Sequence, residues 1–290
     1  MVRCIAALAL IPILGTLACA TARAETTQCT AIEALPATIT TQGVYCLKQD
    51  LSTGMASGFA IRIAANNVTL DCNGWKLGGL AGGQGSTAYG IFAGDRVNVV
   101  VRNCNVRGFY RGIVLAGIEG GYHLVEDNRV DLSPHVGIDV EGDGSTIRGN
   151  RIYDTGPTPG FHRSVGIDTY GAIDIIDNTI MGVTAETTTS SATAWGIYST
   201  ANNGGEIARN RVSRISSDGT STGAVRGIWA NGGTPVIRDN SVINPGVRTE
   251  HQRGIVCNSA FPLARDNVVT GFGTPAIPIS FCSESGNASN

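Results

Sequence analysis

The stretch Gly227-Ile228-Trp229-Ala230, then a glycine turn, then Val236-Ile237-Arg238-Asp239-Asn240-Ser241-Val242, is one copy of a unit that the chain repeats. Gly-Ile pairs stand at Gly90-Ile91, Gly112-Ile113, Gly137-Ile138, Gly166-Ile167, Gly196-Ile197, Gly227-Ile228 and Gly254-Ile255, in steps of 22, 25, 29, 30, 31 and 27 residues. Ala60-Ile61 and Ala276-Ile277 are weaker copies at the two ends. A second marker keeps its own register: Asn128, Asn150, Asn178, Asn210, Asn240 and Asn267 are each followed two residues later by Val or Ile. Cys72 and Cys104 take that slot in two earlier copies. A period in the twenties to low thirties marks a solenoid. Each unit has three short apolar runs broken by turns, without helical periodicity or leucines at fixed offsets. The predicted fold is therefore all-β: a single-domain parallel β-helix of about eight coils, with three short strands per coil.

The strand period of two sets the chemistry of each position. The Ile of each pair points inward, and so does the residue two later. The Asn column also points inward, at a turn, where each amide bonds the coils above and below. The residue after each Gly-Ile points out, giving the row Arg62, Phe92, Val114, Asp139, Asp168, Tyr198, Trp229, Val256. The next outward row is Ala64, Gly94, Ala116, Glu141, Tyr170, Thr200, Asn231, Asn258. One face thus carries Asp139, Glu141 and Asp168 on adjacent coils, continued by Tyr170, Tyr198 and Trp229. Like charges directly opposite in a sheet destabilise it, so such carboxylates share a proton, hold a cation or meet a positive partner. The connections lengthen before Gly166, Gly196, Gly227 and Gly254 and are expected to wall this face on one side. The first of them delivers His162 and Arg163 next to Asp168, and His135 lies on the neighbouring coil. These are candidate acids and bases. His123 and His251 have no such company and are expected at the surface; Trp75 and Trp195 are expected to anchor loops.

These Gly-Ile-x-x and Asp-Asn-x-Val units resemble the right-handed parallel β-helix repeat superfamily, which includes pectate-lyase-like enzymes, alginate epimerases, tailspike-like proteins and NosD-like periplasmic proteins. The resemblance covers about residues 60–282. It implies action on polysaccharides, acidic ones included, by lyases with Ca²⁺, C5-epimerases or hydrolases. The expected function is an exported β-helix protein that acts on or binds polysaccharide of lyase, epimerase or glycoside-hydrolase type. The alternative is a non-catalytic structural or adhesive β-helix. Candidate catalytic residues are Asp139, Asp168, Glu141, His135, His162 and Arg163. Tyr170, Tyr198 and Trp229 are candidate sugar platforms, and Ca²⁺ on Asp139, Glu141 and Asp168 is the candidate cofactor.

The ends add a compartment. Residues 1–24 have a positive start at Arg3, an apolar run from Ile5 to Leu17 and the small-x-small site Ala22-Arg23-Ala24. That is a signal peptide, too short for a membrane span. Secretion or periplasmic export is expected. Without Arg3 and Arg23 the chain holds 19 basic and 23 acidic residues. It has no basic stripe, so a nucleic-acid partner is set aside. Six cysteines remain, and an even number in an exported chain suggests disulfides: Cys29–Cys46, Cys72–Cys104 and Cys257–Cys282. Residues 25–59 lack the repeat and are expected to cap the solenoid, with a helical turn at Ala31–Leu35 and a strand at Val44–Leu47; 283–290 is expected to be a frayed polar tail.

Overall fold

A computed structural model describes residues 26–117, 119–157, 162–185, 192–216, 223–245, 251–258, 262–273 and 278–290. The proposed signal peptide, and most of each long connection on the first sheet, including the Thr/Ser-rich segment 186–191, lie outside the described residues. Three parallel sheets of ten, eleven and ten strands run the length of the molecule. The first holds the Gly-Ile strands, such as Val136–Glu141 and Arg163–Tyr170. The second holds the strands before the Asn slot, such as Ser145–Arg148, and the third those after it, such as Arg151–Thr155. Among the described residues the sole helical element is the single turn Leu80–Gly82, and no helix is long and apolar enough to cross a membrane.

The core is a set of stacked columns. Ile61, Ile91, Ile113, Ile138, Ile167, Ile197, Ile228 and Ile255 align strand to strand. All eight are fully buried. β-branched side chains suit this pleated surface, and each coil buries its apolar edge only against the coils beside it. The glycine of the pair is a close-approach residue. A Cβ on Gly166 would stand 2.6 Å from the carbonyl oxygen of Gly196 and 2.6 Å from Ile180 Cγ2.

The Asn column forms the expected ladder. Each Asn Oδ1 accepts the backbone N–H of the Asn before it, at 2.9–3.0 Å from Asn128 through Asn267. Each Nδ2 donates to a carbonyl in the preceding coil, as Asn178 does to Ile147 at 2.9 Å. The corner also needs left-handed backbone one residue earlier. Asp127, Gly149, Asp177, Arg209, Asp239 and Asp266 all have φ between 54° and 67° there. Asp and Gly tolerate that region best, which explains the Asp-Asn dipeptides. Arg209 is the exception, and its guanidinium bonds both carboxylate oxygens of Asp177 in the coil before.

Three expectations change at the ends. Residues 26–59 are built into the sheets: Ala37–Ile39 pairs with the first sheet, Gly43–Cys46 with the second and Leu51–Ser52 with the third. Thr30–Ala31 is a strand against Tyr45 and Cys46, not a helical turn. The segment hides its repeat because its corner uses other side chains, with Asn73 Nδ2 donating to the Leu47 carbonyl. The tail is also ordered into strands, Ser283–Ser285 and Ala288–Ser289. Asn287 fills one more ladder slot, accepting from Asn267 N at 3.0 Å. Third, Cys72 is one residue out of the Asn slot, because Asp71 aligns with Arg102 and so Cys72 faces Asn103. The three expected disulfides nonetheless form, with Cα–Cα distances of 5.8, 4.6 and 5.1 Å.

His123 is a core residue, not a surface one: it is 2% exposed. Its Nδ1 accepts the Val99 N–H at 3.2 Å. Burial holds its imidazole down at about 4. The unfolded chain binds a proton near pH 6.5 that the folded chain refuses. Stability from this residue is therefore complete above about pH 6.5 and is lost as pH falls towards 4.

Two outcomes follow. Asn178→Ala leaves the Asn150 N–H and the Ile147 carbonyl buried without these partners, and should cost about 3 kcal/mol or more by urea denaturation. Asn287→Ala, at the partly exposed end of the ladder, should cost clearly less. His123→Gln keeps an acceptor but does not titrate. It should flatten the acid limb of stability between about pH 6.5 and 4 by on the order of 3 kcal/mol, measured by thermal unfolding across pH.

Candidate active site

The outward row of the first sheet is as expected: Arg62, Phe92, Val114, Asp139, Asp168, Tyr198, Trp229 and Val256 align in register. Asp139 and Asp168 face each other across one strand spacing, roughly 5 Å of backbone. Glu141 aligns with Tyr170 on the same two strands. The row is less open than an outer face suggests. Asp139 is 6% exposed.

A third outward row covers it. One residue before each glycine stand Tyr89, Arg111, Val136, Val165, Trp195, Arg226 and Arg253, also in register. Five of this row's seven members are arginine or aromatic, and Val136 and Val165 stand between them. It supplies the main cation of the site. Arg111 Nη1 donates to Asp139 Oδ2, and the guanidinium lies 5.8 Å from the centre of the Tyr89 ring. Trp195 is 8% exposed and packs with Val136 and Val165 against Tyr198 and Trp229. Its indole is therefore part of the face and not simply a loop anchor.

Arg163 meets the acids as expected, donating from Nη2 to Asp168 Oδ2. It begins a strand, Arg163–Tyr170, that is longer than its counterpart in the preceding coil, and its guanidinium lies over Trp195 at 4.7 Å and Tyr198 at 5.0 Å. His135 lies between the two arginines. Its ring stacks on Tyr110 at 4.8 Å. Nδ1 is 2.6 Å from the Arg163 carbonyl oxygen, and Nε2 is 3.4 Å from Arg111 Nη2. A carbonyl only accepts and a guanidinium only donates, so Nδ1 carries the proton and Nε2 accepts. Burial and both arginines hold this imidazole down at about 4, and it stays neutral. His135 is thus placed to position Arg111 and Arg163.

The remaining expected residues are more peripheral. His162 is exposed beside Arg163, and its carbonyl accepts the Thr193 N–H at 2.7 Å. Glu141 Oε2 accepts the Gly117 N–H at 2.7 Å. Tyr170 is 47% exposed at the rim. Tyr198, Trp229 and Trp195 form one cluster with ring centres 4.6–4.8 Å apart. The Tyr198 hydroxyl accepts from Asn231 Nδ2 at 2.7 Å.

Burial is the first influence on both aspartates. It pushes Asp139 up to about 7, helped by the charge of Asp168 and opposed by Arg111. Asp168 is also raised by burial, against the pull of Arg163 and Arg111. Two acids so placed titrate as a coupled pair, and burial favours a proton on Asp139 near neutrality. The donor set does not fit Ca²⁺. Asp139 and Asp168 are each tied to a guanidinium, and among the described residues no group of three or more His, Cys, Asp or Glu could hold a metal ion. Calcium wants several free hard oxygens. The arrangement is instead an acid pair capable of proton transfer, fixed by two cations, next to an aromatic platform.

Comparison with known proteins gives the fold its context. No curated protein matches the chain. Among solved structures, DFA-IIIase from Arthrobacter chlorophenolicus A6 in complex with GF2 is 11% identical, with a TM-score of 0.42 over 78% of this chain and 69% of that one. The same enzyme without its lid is 12% identical, with a TM-score of 0.44 over 84% of this chain and 74% of that one. The catalytic domain of a GH87 alpha-1,3-glucanase in complex with nigerose is 13% identical, with a TM-score of 0.36 over 89% of this chain and 59% of that one. These likenesses concern the fold alone. Residues 116–280, more than half of the chain, match the family described as the right handed beta helix region, and with its stacked Gly-Ile coils the chain belongs to that family.

Proposed function

We propose that this is an exported protein that binds a glycan along the outer face of the first sheet and hydrolyses a glycosidic bond at the Asp139–Asp168 pair. One observation carries the reading: two in-register carboxylates, each tied to an arginine but unequally buried, Asp139 the deeper and raised to about 7 and Asp168 only half-buried. Glycoside hydrolysis needs one carboxyl that keeps its proton and one that ionises, and side chains on strands one spacing apart suit the closer pair of a retaining mechanism. Asp139 then protonates the leaving oxygen as Asp168 attacks the anomeric carbon and the glycosidic bond breaks; a water deprotonated by the Asp139 carboxylate next hydrolyses the glycosyl ester on Asp168, which restores both acids. Arg111 and Arg163 hold the carboxylates in place, and Tyr198 and Trp229 offer apolar faces for a sugar ring. The three disulfides are compatible with an oxidising compartment.

Lyase and epimerase chemistry would need a free base for a C5 proton. The neutral Nε2 of His135 is turned to Arg111, and both arginines are engaged by carboxylates. The same ion pairs favour a second reading, a non-catalytic face that only binds glycan.

Asp139→Asn and Asp168→Asn should each lower hydrolysis of the cognate glycan by about a hundredfold or more, with folding intact by circular dichroism. Full activity in either variant would remove the acid pair from catalysis, and glycan binding without turnover in the wild type would favour the non-catalytic face. Activity should fall above about pH 7 as Asp139 loses its proton. The same shift acts on stability. A carboxyl raised in the folded state stabilises most below its ordinary range and loses that contribution as pH rises through its folded value. From about pH 4 to pH 8, wild type should therefore lose on the order of 4 kcal/mol relative to Asp139→Asn, as seen by thermal unfolding. A calcium titration should give no saturable heat, and chelation should leave activity unchanged.

A further inference from the structure

The first sheet carries a second cationic centre that the acid pair does not use. Arg226 lies in the row before the glycines, on the strand Val225–Gly233, and its guanidinium sits over the Trp229 indole, 3.6 Å from the ring centre. Nε and Nη1 are buried and have no hydrogen-bond partner among the described residues. The repeat explains why. Arg111 occupies the same row and reaches the outward residue of the next coil, which is Asp139. The equivalent residue for Arg226 is Val256, aligned with Trp229. Arg226 itself aligns with Trp195 on one side and with Arg253 on the other. Arg226 and Arg253 are therefore neighbours on adjacent strands, and the charge of Arg253 adds to the cost of burying Arg226.

Burial, together with Arg253, holds the Arg226 guanidinium below the usual arginine range. A half-desolvated cation with no counter-charge among the described residues is costly, and an anion from outside removes that cost. Arginine stacked on an indole is also a rigid donor, suited to carboxylate or sulfate oxygens. Trp229 stands two strand spacings from Asp168, roughly 10 Å along the solenoid axis.

We propose that Arg226, held on Trp229 and aligned with Arg253, is a subsite for an anionic substituent, a carboxylate or a sulfate ester, on the glycan whose scissile bond lies at Asp139 and Asp168. The proposal deepens the hydrolase reading and rests on it for the identity of the larger ligand. The anion site itself is defined by Arg226 alone. A neutral glycan would leave the cation uncompensated, so the substituent also acts as a selection against neutral chains.

Trp229 provides the signal. The protein is titrated with sodium sulfate and with sodium glucuronate, against sodium chloride at matched ionic strength, while tryptophan emission is followed. A saturable change is expected with at least one of the two anions. In Arg226→Gln the affinity should fall roughly tenfold, and Arg226→Lys, which keeps the charge, should recover part of it. A response to sulfate alone assigns a sulfate ester, and a response to glucuronate alone assigns a carboxylate. The response should survive in the Asp139→Asn/Asp168→Asn double variant, so a failed hydrolase reading and a failed anion site give different results. No saturable change in the wild type with either anion overturns the proposal, as does an equal response in Arg226→Gln.

Discussion

Everything in this molecule depends on one hydrogen-bonded contact repeated from coil to coil, the stacking of an Asn amide on the next. A parallel strand pair alone leaves the corner between strands unsupported, because the chain turns there and its backbone groups face inward. The ladder from Asn128 to Asn287 answers both lone pairs and both amide hydrogens inside the core. It also fixes register. A coil displaced by one residue would lose its Asn bonds and turn its isoleucines outward at once. The in-register columns of the outer face, including the two aspartates, are a by-product of that constraint.

The site then arises from what the columns happen to carry. Two carboxylates brought together by register would repel if both were ionised and exposed. Here they are buried under a neighbouring row, and each meets an arginine from a different place in its own or the preceding coil. Arg111 arrives diagonally from the row before the glycine, and Arg163 from a strand extended beyond the usual length. His135, neutral, links the Arg111 guanidinium to the backbone of Arg163. This is a face in which the scaffold supplies spacing and the edges supply charge.

Much of this was legible in the sequence because a solenoid turns sequence spacing into spatial stacking. The columns of isoleucine, the outward row through Asp139 and Asp168 and the ladder all follow from period and alternation. What escaped did so for local reasons. The arginine row is hidden from simple alternation because the backbone at the Gly-Ile pair places residues on both sides of the dipeptide outward: Arg111 and Val114 share a face. His123 looked solitary because its partner is a backbone N–H. Residues 26–59 hid their coil by using Asn73, and the tail hid its last rung behind serines.

The end disulfides bear on how such an array comes apart. In a one-dimensional stack the interior coils have two neighbours and the terminal ones have one, so melting starts as fraying. Cys29–Cys46 and Cys257–Cys282 sit at the first and last described coils, and Cys72–Cys104 joins coils near the amino-terminal end. Covalent links at both ends convert a structure that would unzip gradually into one that has to open from within, through the coils that carry Asp139, Asp168 and Arg226. Under oxidising conditions, loss of structure and loss of the binding face become a single event. Under reducing conditions, the outer coils would be shed first and the face would outlast them.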